Sequence, residues 1–294
     1  MELPTPLSML AAMGGYTVSL SFGTPPQKIP LVFDTGSSLL WVPCTSHYPL
    51  LLVSLGAGSP RCGWIFGPNV EARCGPGCDS ACSRGCPGYV LQYGLGATAG
   101  IAISETLDLP GKPVHDFLLG CSLQSIRQPQ GIAGFGRAPT SLPSQLKLGK
   151  FSYCLIPHKF DDSPKGSKLI LAGAGQKIPV ACKGPREVVE YTPLKIIVGK
   201  KHVKLPFKYL IPGRNGNGGV IVDSGSTLTF MERPLFEPLV KELAAQTAHY
   251  KRAKEIEDQL GFGLCYEIKD ARNVSFPKLV FSLQGWRKDV NARG

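Results

Sequence analysis

Two short segments of this chain share a pattern in which an aspartate follows three apolar residues. Residues 31–37 and 220–226 each continue from that aspartate, Asp34 or Asp223, with Thr or Ser, then Gly, then Ser. Each apolar triplet predicts a buried strand, and the Asp and Gly after it predict a turn that presents a carboxylate at the strand's end. Two such carboxylates can supply the acid and the base of a single catalytic site.

The repeat of this motif and the composition indicate the fold class. The two aspartates are 189 residues apart (223 minus 34), which predicts a duplicated domain, because a solenoid or propeller repeat spans only roughly 20–50 residues. The 294 residues, 43% of them hydrophobic, can bury a large core in one or two domains. The 35 glycines and 26 prolines, with few strongly helical stretches, favour a mostly β fold.

The charge of the chain suggests acidic partners only weakly. A formal net charge of +11 leaves anionic polysaccharide, a membrane surface or nucleic acid as alternatives. The basic residues are scattered, however, and the short runs Lys200-Lys201 and Lys251-Arg252 lack the interleaved aromatics of a single-strand binder. We therefore expect a solvated basic surface and no nucleic-acid partner. No apolar run reaches the roughly 18 residues of a membrane span, so no transmembrane segment is predicted.

The cysteines indicate the redox compartment. Ten cysteines, five of them between Cys62 and Cys86, predict disulfides formed in an oxidising environment. Zinc binding is the alternative, but Cys74, Cys78, Cys82 and Cys86 recur every four residues, unlike the C-x-x-C pairs of most zinc sites, and no histidine lies nearby in sequence. We therefore predict neither a metal site nor another cofactor.

Two other signals of compartment disagree with each other. Asn273 begins an N-glycosylation sequon, which fits a secreted glycoprotein. Residues 1–14 lack a basic segment and contain Pro4 and Pro6, so no signal peptide is evident there. We expect that a leader is missing from this sequence and that the protein is secreted.

Alternating apolar residues predict the strands around the first motif. Residues 16–22 and 28–33 form a predicted hairpin that ends at Asp34, residues 39–42 form the next strand, and residues 44–86 form a cross-linked insertion. Beyond these, strands are predicted at 114–121, 151–155 and 168–172, with a linker at 157–166.

A second hairpin is predicted around two glycines. Residues 89–93 and 98–106 flank Gly94 and Gly96, which is typical of a β-hairpin with glycine at its tip. A nucleotide-binding loop is the alternative, because Gly94, Gly96 and Gly100 are one residue off the dinucleotide fingerprint. That fingerprint requires a helix after the loop, whereas the residues here are strand-like. The hairpin is the better interpretation.

One helix is predicted in the second half of the chain. It begins near Pro234 and continues towards Tyr250. Its apolar face predicts core packing and no cofactor site, and consists of Leu235, Phe236, Leu239, Val240 and Leu243.

The two aspartate motifs, with Trp41 and Tyr93-Gly94 between them, closely resemble those of pepsin-like aspartic proteases. More specifically, the chain resembles the plant nepenthesin-like branch, and the similarity covers roughly residues 14–286. The cysteine-rich insertion contributes to this similarity, as do residues 16–26, 131–136, 151–154 and 216–219.

This resemblance implies a bilobal, mostly β fold with a cleft between two β-rich lobes, in which an extended peptide binds as an added strand. The N-terminal lobe is expected at residues 1–158, with the insertion at 44–86 and a flap at 89–106 that closes over the cleft. The C-terminal lobe is expected at residues 159–294. A monomer acting on peptide or protein substrates is implied.

The resemblance also implies a role for each site residue. Asp34 and Asp223 hold a single proton and activate a water between them, and which of them carries the proton cannot be assigned from sequence. Thr35 and Ser224 brace the two turns against each other, while Gly36 and Gly225 let backbone amides approach the carboxylates. The full supporting set is Thr35, Gly36, Ser37, Ser224, Gly225 and Ser226. The flap and substrate-binding set is Tyr93, Gly94 and Trp41, with the Tyr93 hydroxyl oriented by the Trp41 indole.

The chain departs from the family pattern in its second half. Residues 132–134 match a strand that passes beneath the first active turn in this family, and the second half has no counterpart. The sequence also ends before the family's closing strands, so the second lobe is expected to be incomplete. In the branch's usual scheme four cysteines pair with partners absent here, which leaves Cys44, Cys121, Cys154 and Cys265 as expected orphans.

The leading functional hypothesis is an aspartic endopeptidase that hydrolyses peptide bonds at acid pH. One alternative is a non-catalytic homologue that binds or inhibits other proteins, as xylanase-inhibitor-like relatives do. Another is an inactive truncated product. By family and cysteine usage, we expect secretion to the extracellular space or cell wall, with the vacuole as a second destination.

Overall fold

The computed structural model describes residues 2–10, 15–44, 55, 59–66, 86, 88–94, 96–127, 130–153, 155, 167–173, 194–211, 219–226, 228–261, 263–270, 273–283 and 290–292. Strands account for more of these residues than helices do, which agrees with the predicted mostly β fold. The chain divides into two compact units: Met1–Arg186 with Val222–Thr227, and Glu187–Ile221 with Leu228–Gly294. The expected boundary at residues 158 and 159 stays a prediction, because it lies outside the described residues.

The first unit is built on ten strands in one hydrogen-bonded order. From edge to edge this order is β5-β6-β7-β4-β8-β3-β2-β1-β10-β9, and β6 also pairs with β2. That extra pairing closes six of the strands into a ring, which removes their free edges. The strands are β1 (Glu2–Leu10), β2 (Gly15–Phe22), β3 (Gln27–Asp34), β4 (Trp41–Pro43), β5 (Tyr89–Gln92), β6 (Ala97–Leu109), β7 (Lys112–Ile126), β8 (Gly131–Gly134), β9 (Leu148–Tyr153) and β10 (Ser167–Gly173).

Most of these strands follow the alternation seen in the sequence. Buried residues recur at every second position along β3, where Ile29, Leu31 and Phe33 are each at most 1% exposed.

β1 was not predicted, because Pro4 and Pro6 interrupt its sequence. The structure accommodates them at the sheet's β1–β10 pairing, where the register shifts between Leu3 and Pro6.

The flap and the insertion were also predicted in part. β5 and β6 form an antiparallel hairpin in which the Tyr93 amide donates to the Gly96 carbonyl at 2.8 Å. Short helices occur at Pro60–Phe66, inside the insertion, and at Leu142–Gln145. Most of the insertion, including Cys74, Cys78 and Cys82, lies outside the described residues.

Two disulfides link described residues of the first unit, and one of them corrects an expectation. Cys44 and Cys121 were expected to lack partners, but they bond to each other, with their Cα atoms 5.3 Å apart. They meet because β4 runs parallel to β7, with Val42 opposite Cys121. Cys62 bonds to Cys86.

Two more cysteines were expected to be unpaired. Cys265 is a free thiol, as expected, whereas Cys154 lies outside the described residues.

The second unit contains helices and a four-stranded sheet, whose strands lie in the order β12-β11-β13-β14. The strands are β11 (Leu194–Val198), β12 (Lys201–Val203), β13 (Leu279–Leu283) and β14 (Val290–Ala292), and the helices are Phe207–Tyr209, Arg233–Gln246 and Lys254–Leu260. Helix Arg233–Gln246 confirms the predicted helix, although it stops four residues short of Tyr250. Its Leu239 packs with Ile196 and Val198 of β11, as a core-facing stripe should.

Among the described residues, no helix has the length and apolar character needed to span a membrane.

Candidate active site

The first aspartate lies where a buried strand meets a tight turn. β3 ends at Asp34, and β8 runs parallel beside it with Asp34 opposite Gly134. The Phe135 amide donates to the Asp34 carbonyl at 2.7 Å, which ties the end of β3 to the segment beneath it. Phe33 also packs edge-on against Phe135 and Tyr153, with ring centroids 4.6 Å apart in both pairs. The backbone that presents Asp34 is therefore held on two sides.

The second aspartate is presented differently from the prediction. Residues 220–222 were expected to form a buried strand, but they have no regular secondary structure, and Ile221 is 60% exposed. The physical reason is that no strand among the described residues pairs with this segment, and an unpaired extended segment gains no ladder hydrogen bonds. Val222 and the aspartate turn after it belong to the first unit.

Two buried hydroxyls hold this second turn against the first. The Thr35 amide donates to Ser224 Oγ, and the Ser224 amide donates to Thr35 Oγ1, each at 3.0 Å. Each hydroxyl then donates onward to a backbone carbonyl: Thr35 Oγ1 to Val222 at 3.0 Å and Ser224 Oγ to Phe33 at 2.9 Å. This reciprocal set of hydrogen bonds replaces the missing sheet contacts as the support of Asp223.

The two carboxylates accept matching hydrogen bonds from their own turns. The Gly36 amide donates to Asp34 Oδ1 and the Gly225 amide donates to Asp223 Oδ1, both at 2.8 Å. Ser37 Oγ donates to Asp34 Oδ2, and Ser226 Oγ donates to Asp223 Oδ2 at 2.7 Å. Each side chain is therefore fixed by two donors, which leaves the carboxylates no freedom to rotate away from each other.

Each glycine of the motif faces the carboxylate of the other turn. A Cβ at Gly36 would lie 2.6 Å from Asp223 Cγ, and a Cβ at Gly225 would lie 2.5 Å from Asp34 Oδ1. Real Cβ atoms do not approach other atoms this closely, so only glycine fits at either position. The sequence analysis explained these glycines by the room that backbone amides need to approach the carboxylates. The structure adds a second reason, because the side chain of the opposite aspartate lies close to each glycine.

An aromatic contact joins the flap to the sheet that carries Asp34. Trp41 is fully buried in β4, and its Nε1 donates to the Tyr93 hydroxyl at 2.8 Å. Tyr93 and Gly94, at the end of the β5–β6 hairpin, line a cavity of about 480 Å³ that also contains Asp34 and Asp223. Of the eleven site residues predicted from the sequence, six line this cavity: Asp34, Gly36, Ser37, Tyr93, Gly94 and Asp223. The other five, Thr35, Trp41, Ser224, Gly225 and Ser226, hydrogen-bond to one another or to a lining residue.

The cavity also contains residues that sequence reasoning missed. Trp64 and Ile65 of helix Pro60–Phe66 line it, as do Leu91, Gln92 and Thr140. No short motif marks these positions. The only available signal was that a disulfide-bonded insertion follows the first motif closely in sequence, and this does not say which of its residues reach the cavity.

The electrostatics of the pair favour one retained proton. The pKa of Asp34 is raised to about 6, chiefly by burial and also by the neighbouring Asp223 carboxyl, while the hydrogen bonds from Ser37 and Gly36 oppose that rise. Burial likewise raises the pKa of Tyr93 to about 12, so its hydroxyl stays protonated throughout the acid range. Asp34 is only 6% exposed, so the cost of ionising it is not relieved by solvent.

This raised pKa predicts a pH-dependent stability. Between about pH 4 and pH 6 the folded chain retains a proton on Asp34 that the unfolded chain releases, so the Asp34 contribution is greatest below about pH 4 and falls as pH rises through about 6. Urea unfolding of the wild type and of Asp34→Asn from pH 3.5 to 7.5 measures it. We expect the wild-type free energy of unfolding to fall relative to the variant over this window. A difference that stays flat or rises would contradict the prediction, and Asp108→Asn, which removes an exposed carboxyl, is the matched control.

Metal binding has no support in the described residues, where no three His, Cys, Asp or Glu side chains are grouped closely enough to hold an ion. Three of the four regularly spaced cysteines lie outside them.

Comparisons with known proteins agree with this geometry. Residues 16–173 match the family model described as xylanase inhibitor N-terminal, and residues 193–294 match the one described as xylanase inhibitor C-terminal. Among curated proteins, a probable aspartyl protease of Arabidopsis thaliana is 27% identical over 94% of this chain and 68% of its own length. Aspartic proteinase nepenthesin-1 of Nepenthes gracilis is 29% identical over 95% of this chain and 66% of its own length.

The solved structures show the same fold. Conglutin gamma from lupine seeds, a basic 7S globulin, has a TM-score of 0.64 at 20% identity over 98% of this chain and 80% of its own. This chain spans about two thirds of the length of the curated relatives that it matches. From two family models that together span most of its residues, and from its pair of Asp-Thr/Ser-Gly-Ser turns, it follows that the chain belongs to the pepsin-like aspartic protease family, with the plant nepenthesins among its relatives.

Proposed function

We propose that this chain is an aspartic endopeptidase that hydrolyses peptide bonds at acid pH. The observation that carries the proposal is the reciprocal set of hydrogen bonds between Thr35 and Ser224, which holds Asp34 and Asp223 in one cavity. Curated relatives named as aspartic proteases support the same reaction class. The chain needs no metal or cofactor for this chemistry, because both proton transfers can be made by the two carboxyl groups.

The raised pKa of Asp34 suggests how the two carboxyls divide the work. At about pH 4 to 5 Asp34 carries the proton and donates a hydrogen bond to the scissile carbonyl oxygen. Asp223 accepts a proton from a water held between the two side chains, and that water attacks the carbonyl carbon. One shared proton is the known behaviour of aspartic protease dyads in general. The attack moves the Asp34 proton to the carbonyl oxygen and gives a tetrahedral gem-diol, so no acyl-enzyme forms. As the C–N bond then breaks, Asp223 passes its proton to the leaving nitrogen, and a hydroxyl of the gem-diol returns a proton to Asp34.

The flap completes the site. Tyr93 stays protonated and is fixed by the indole N–H of Trp41, so its hydroxyl is available as an oriented donor above the substrate. An extended peptide lying in the cavity can then pair its backbone with the flap hairpin. Substrates are therefore proposed to be unfolded or extended polypeptides, and the chain is proposed to act as a monomer.

The test is cleavage of acid-denatured globin between pH 3 and pH 5, followed by gel electrophoresis and mass spectrometry of the products. We expect endoproteolytic fragments, and we expect pepstatin to suppress them, because it occupies dyads of this geometry. The absence of fragments, or fragments that form equally in saturating pepstatin, would refute the proposal.

A second candidate function is supported by the description of the matching family models. Both models are described as xylanase inhibitor domains, so the chain could bind a glycan-degrading enzyme without cutting it. The intact dyad argues against this as the main function, since a binding protein has no need of two fully supported carboxylates. Inhibition of a microbial xylanase by Asp34→Asn protein, together with no proteolysis by the wild type, would reverse the order of the two candidates.

The compartment is proposed from the same residues. The Cys44–Cys121 and Cys62–Cys86 disulfides form and persist in an oxidising environment. Secretion to the extracellular space or cell wall, or delivery to an acidic vacuole, provides both that environment and the low pH that the dyad requires. Glycosylation at Asn273, a residue exposed in the structure, would accompany either route.

A further inference from the structure

One β-hairpin of the second unit carries basic residues without acidic ones. Residues 194–211, which contain β11 and β12, include five lysines and no aspartate or glutamate. The lysines are Lys195, Lys200, Lys201, Lys204 and Lys208, and all five are exposed. Among the described residues, only Lys201 of these five forms an ion pair, with Glu242 at 2.5 Å. The described part of the chain therefore leaves this hairpin with an excess of positive charge.

The alternation of the hairpin brings part of this charge onto one face. Ile196 and Val203 lie opposite each other in the register and pack in the core of the second unit. Because successive side chains of a strand point to opposite faces, the adjoining Lys195 and Lys204 both point outward. The same register, continued by one residue, places these two lysines opposite each other. Like charges in such a pair repel, so an anion bound across them would stabilise the hairpin.

Further lysines lie at the turn of this hairpin. Lys200 lies in the turn itself, next to Gly199, whose amide donates to the Lys278 carbonyl at 2.8 Å. Lys278 is exposed and directly precedes β13. We call Lys195, Lys200, Lys204 and Lys278 the lysine face. β11 alone extends roughly 15 Å at the usual rise of about 3.3 Å per residue, so the lysine face is too long for one small anion.

An exposed aromatic ring follows these lysines in the chain. Phe207 comes three residues after Lys204 and is 57% exposed, in the short helix Phe207–Tyr209. Tyr209 is half-buried, and the Lys208 ammonium lies 4.9 Å from the centre of its ring. The Phe207 ring is therefore the aromatic surface that a ligand of this hairpin can reach. Packing it against the C–H face of a sugar ring removes apolar surface of both from water.

The arrangement favours an acidic polysaccharide over other polyanions. Single-stranded nucleic acid stacks successive bases on several aromatic rings, and Phe207 is the one exposed Phe, Tyr or Trp side chain of residues 194–211. The same residues contain no arginine, the side chain that binds phosphate with two parallel hydrogen bonds. The disulfides indicate an oxidising compartment, whereas anionic lipids enrich the cytoplasmic leaflet of membranes. A polymer of sugar carboxylates meets none of these objections.

We propose that the lysine face binds an acidic polysaccharide, a chain of sugars that carry carboxylate groups. The carboxylates pair with the four lysines, and one sugar ring packs on Phe207. All of these residues belong to the second unit, and none of them lines the cavity that contains Asp34 and Asp223. The inference therefore goes beyond the proposed function, and it adds a way for the protein to be retained on a carboxylate-rich matrix.

The experiment measures binding of the whole chain to polygalacturonate by biolayer interferometry, at about pH 5.5 and about 50 mM NaCl, where charges are weakly screened. The site variant combines three changes on the lysine face: Lys195→Gln, Lys200→Gln and Lys204→Gln. The matched control removes the same charge from three exposed lysines of the first unit: Lys28→Gln, Lys112→Gln and Lys150→Gln. We expect the site variant to bind about tenfold more weakly than the wild type, because three exposed charge pairs are lost, and the control to stay within about threefold. Equal losses in the two variants would overturn the inference.

The chemistry of the ligand is tested with altered polymers. Fully methyl-esterified polygalacturonate keeps the sugars and lacks the charges, so it should bind the wild type at least about tenfold more weakly. Phe207→Ala should weaken binding without changing its salt dependence, whereas the site variant should make that dependence shallower. Equal binding of the esterified polymer would overturn the proposal. Equally strong competition by single-stranded DNA or by phosphatidylserine vesicles would also overturn it, in favour of a nucleic acid or a membrane.

Chemical footprinting locates the site on the unaltered protein. Exposed lysines are acetylated with and without polygalacturonate, and the modified residues are quantified by mass spectrometry. We expect protection of the lysine face and no change at Lys28 and Lys150. Protection spread evenly over the exposed lysines would overturn the inference. None of these measurements requires peptide hydrolysis, so a failure of the proposed function would leave their results unaffected.

Discussion

Replacing either aspartate of the pair with asparagine should lower kcat by about 10³-fold or more with little change in the fold. Asp34→Asn removes the group that holds the shared proton, and Asp223→Asn removes the carboxylate that accepts a proton from the attacking water. Positioned acid–base groups of this kind typically contribute about 10²–10⁴-fold each. The amide oxygen of asparagine can still accept the hydrogen bond from the glycine two residues ahead, so the turn survives.

Steady-state hydrolysis of an internally quenched peptide at pH 4 measures this effect. Circular dichroism and thermal melting show whether each variant stays folded. The double variant should lose no more than about the larger of the two single losses, because the two groups act as one unit. The control is Asp108→Asn, which changes an exposed carboxyl on β6 and should stay within about twofold of the wild type. Retention of more than a tenth of wild-type kcat by either site variant would contradict the mechanism.

Adding one methyl group at either glycine of the motif should cost about 10²-fold in kcat/KM. An alanine Cβ at position 36 would lie 2.6 Å from Asp223 Cγ, and one at position 225 would lie 2.5 Å from Asp34 Oδ1. Relief of either clash requires the opposite carboxylate to move by roughly 1 Å. Displacement of this size away from a reactive geometry can cost about 10²-fold. The effect should fall mainly on kcat, since the flap and helix Pro60–Phe66 are untouched.

Gly15→Ala is the matched control for these variants. Gly15 begins β2, and no atom lies within 4 Å of a Cβ built there, so the added methyl group is accommodated. Gly36→Ala and Gly225→Ala are compared with it in the same peptide assay, and their pepstatin affinities are measured alongside. Wild-type kcat in Gly36→Ala would show that the two turns are further apart, or softer, than the structure indicates.

Sequence was sufficient for the parts of the site that depend on local chemistry. The Asp-Thr-Gly-Ser turn at Asp34 follows an apolar strand, and the glycine-tipped flap follows hairpin rules, so both could be located from residue type and spacing. The same argument failed at residues 220–222, because a triplet of β-formers becomes a strand only when a neighbouring strand pairs with it. That partner is a property of the whole fold and leaves no mark in the triplet.

Long-range contacts explain the remaining differences. The Cys44–Cys121 disulfide depends on β4 running beside β7, which no spacing between two cysteines 77 residues apart could indicate. Trp64 enters the cavity because Cys62 and Leu55 fix its helix to the sheet, and neither residue belongs to a recognisable motif. Sequence therefore located the two aspartate turns better than it located the other residues that line the cavity.

The matching hydrogen bonds of the two turns give the dyad an approximate twofold symmetry: amide to Oδ1, serine to Oδ2, and an exchanged amide–hydroxyl pair. A symmetric pair of carboxylates cannot distinguish the amino from the carboxyl end of a peptide. All other described residues that line the cavity, including those of the flap and of helix Pro60–Phe66, precede Asp223 in the sequence. Under the proposed function, the direction in which a peptide binds therefore depends on cavity residues that come before Asp223 in the chain.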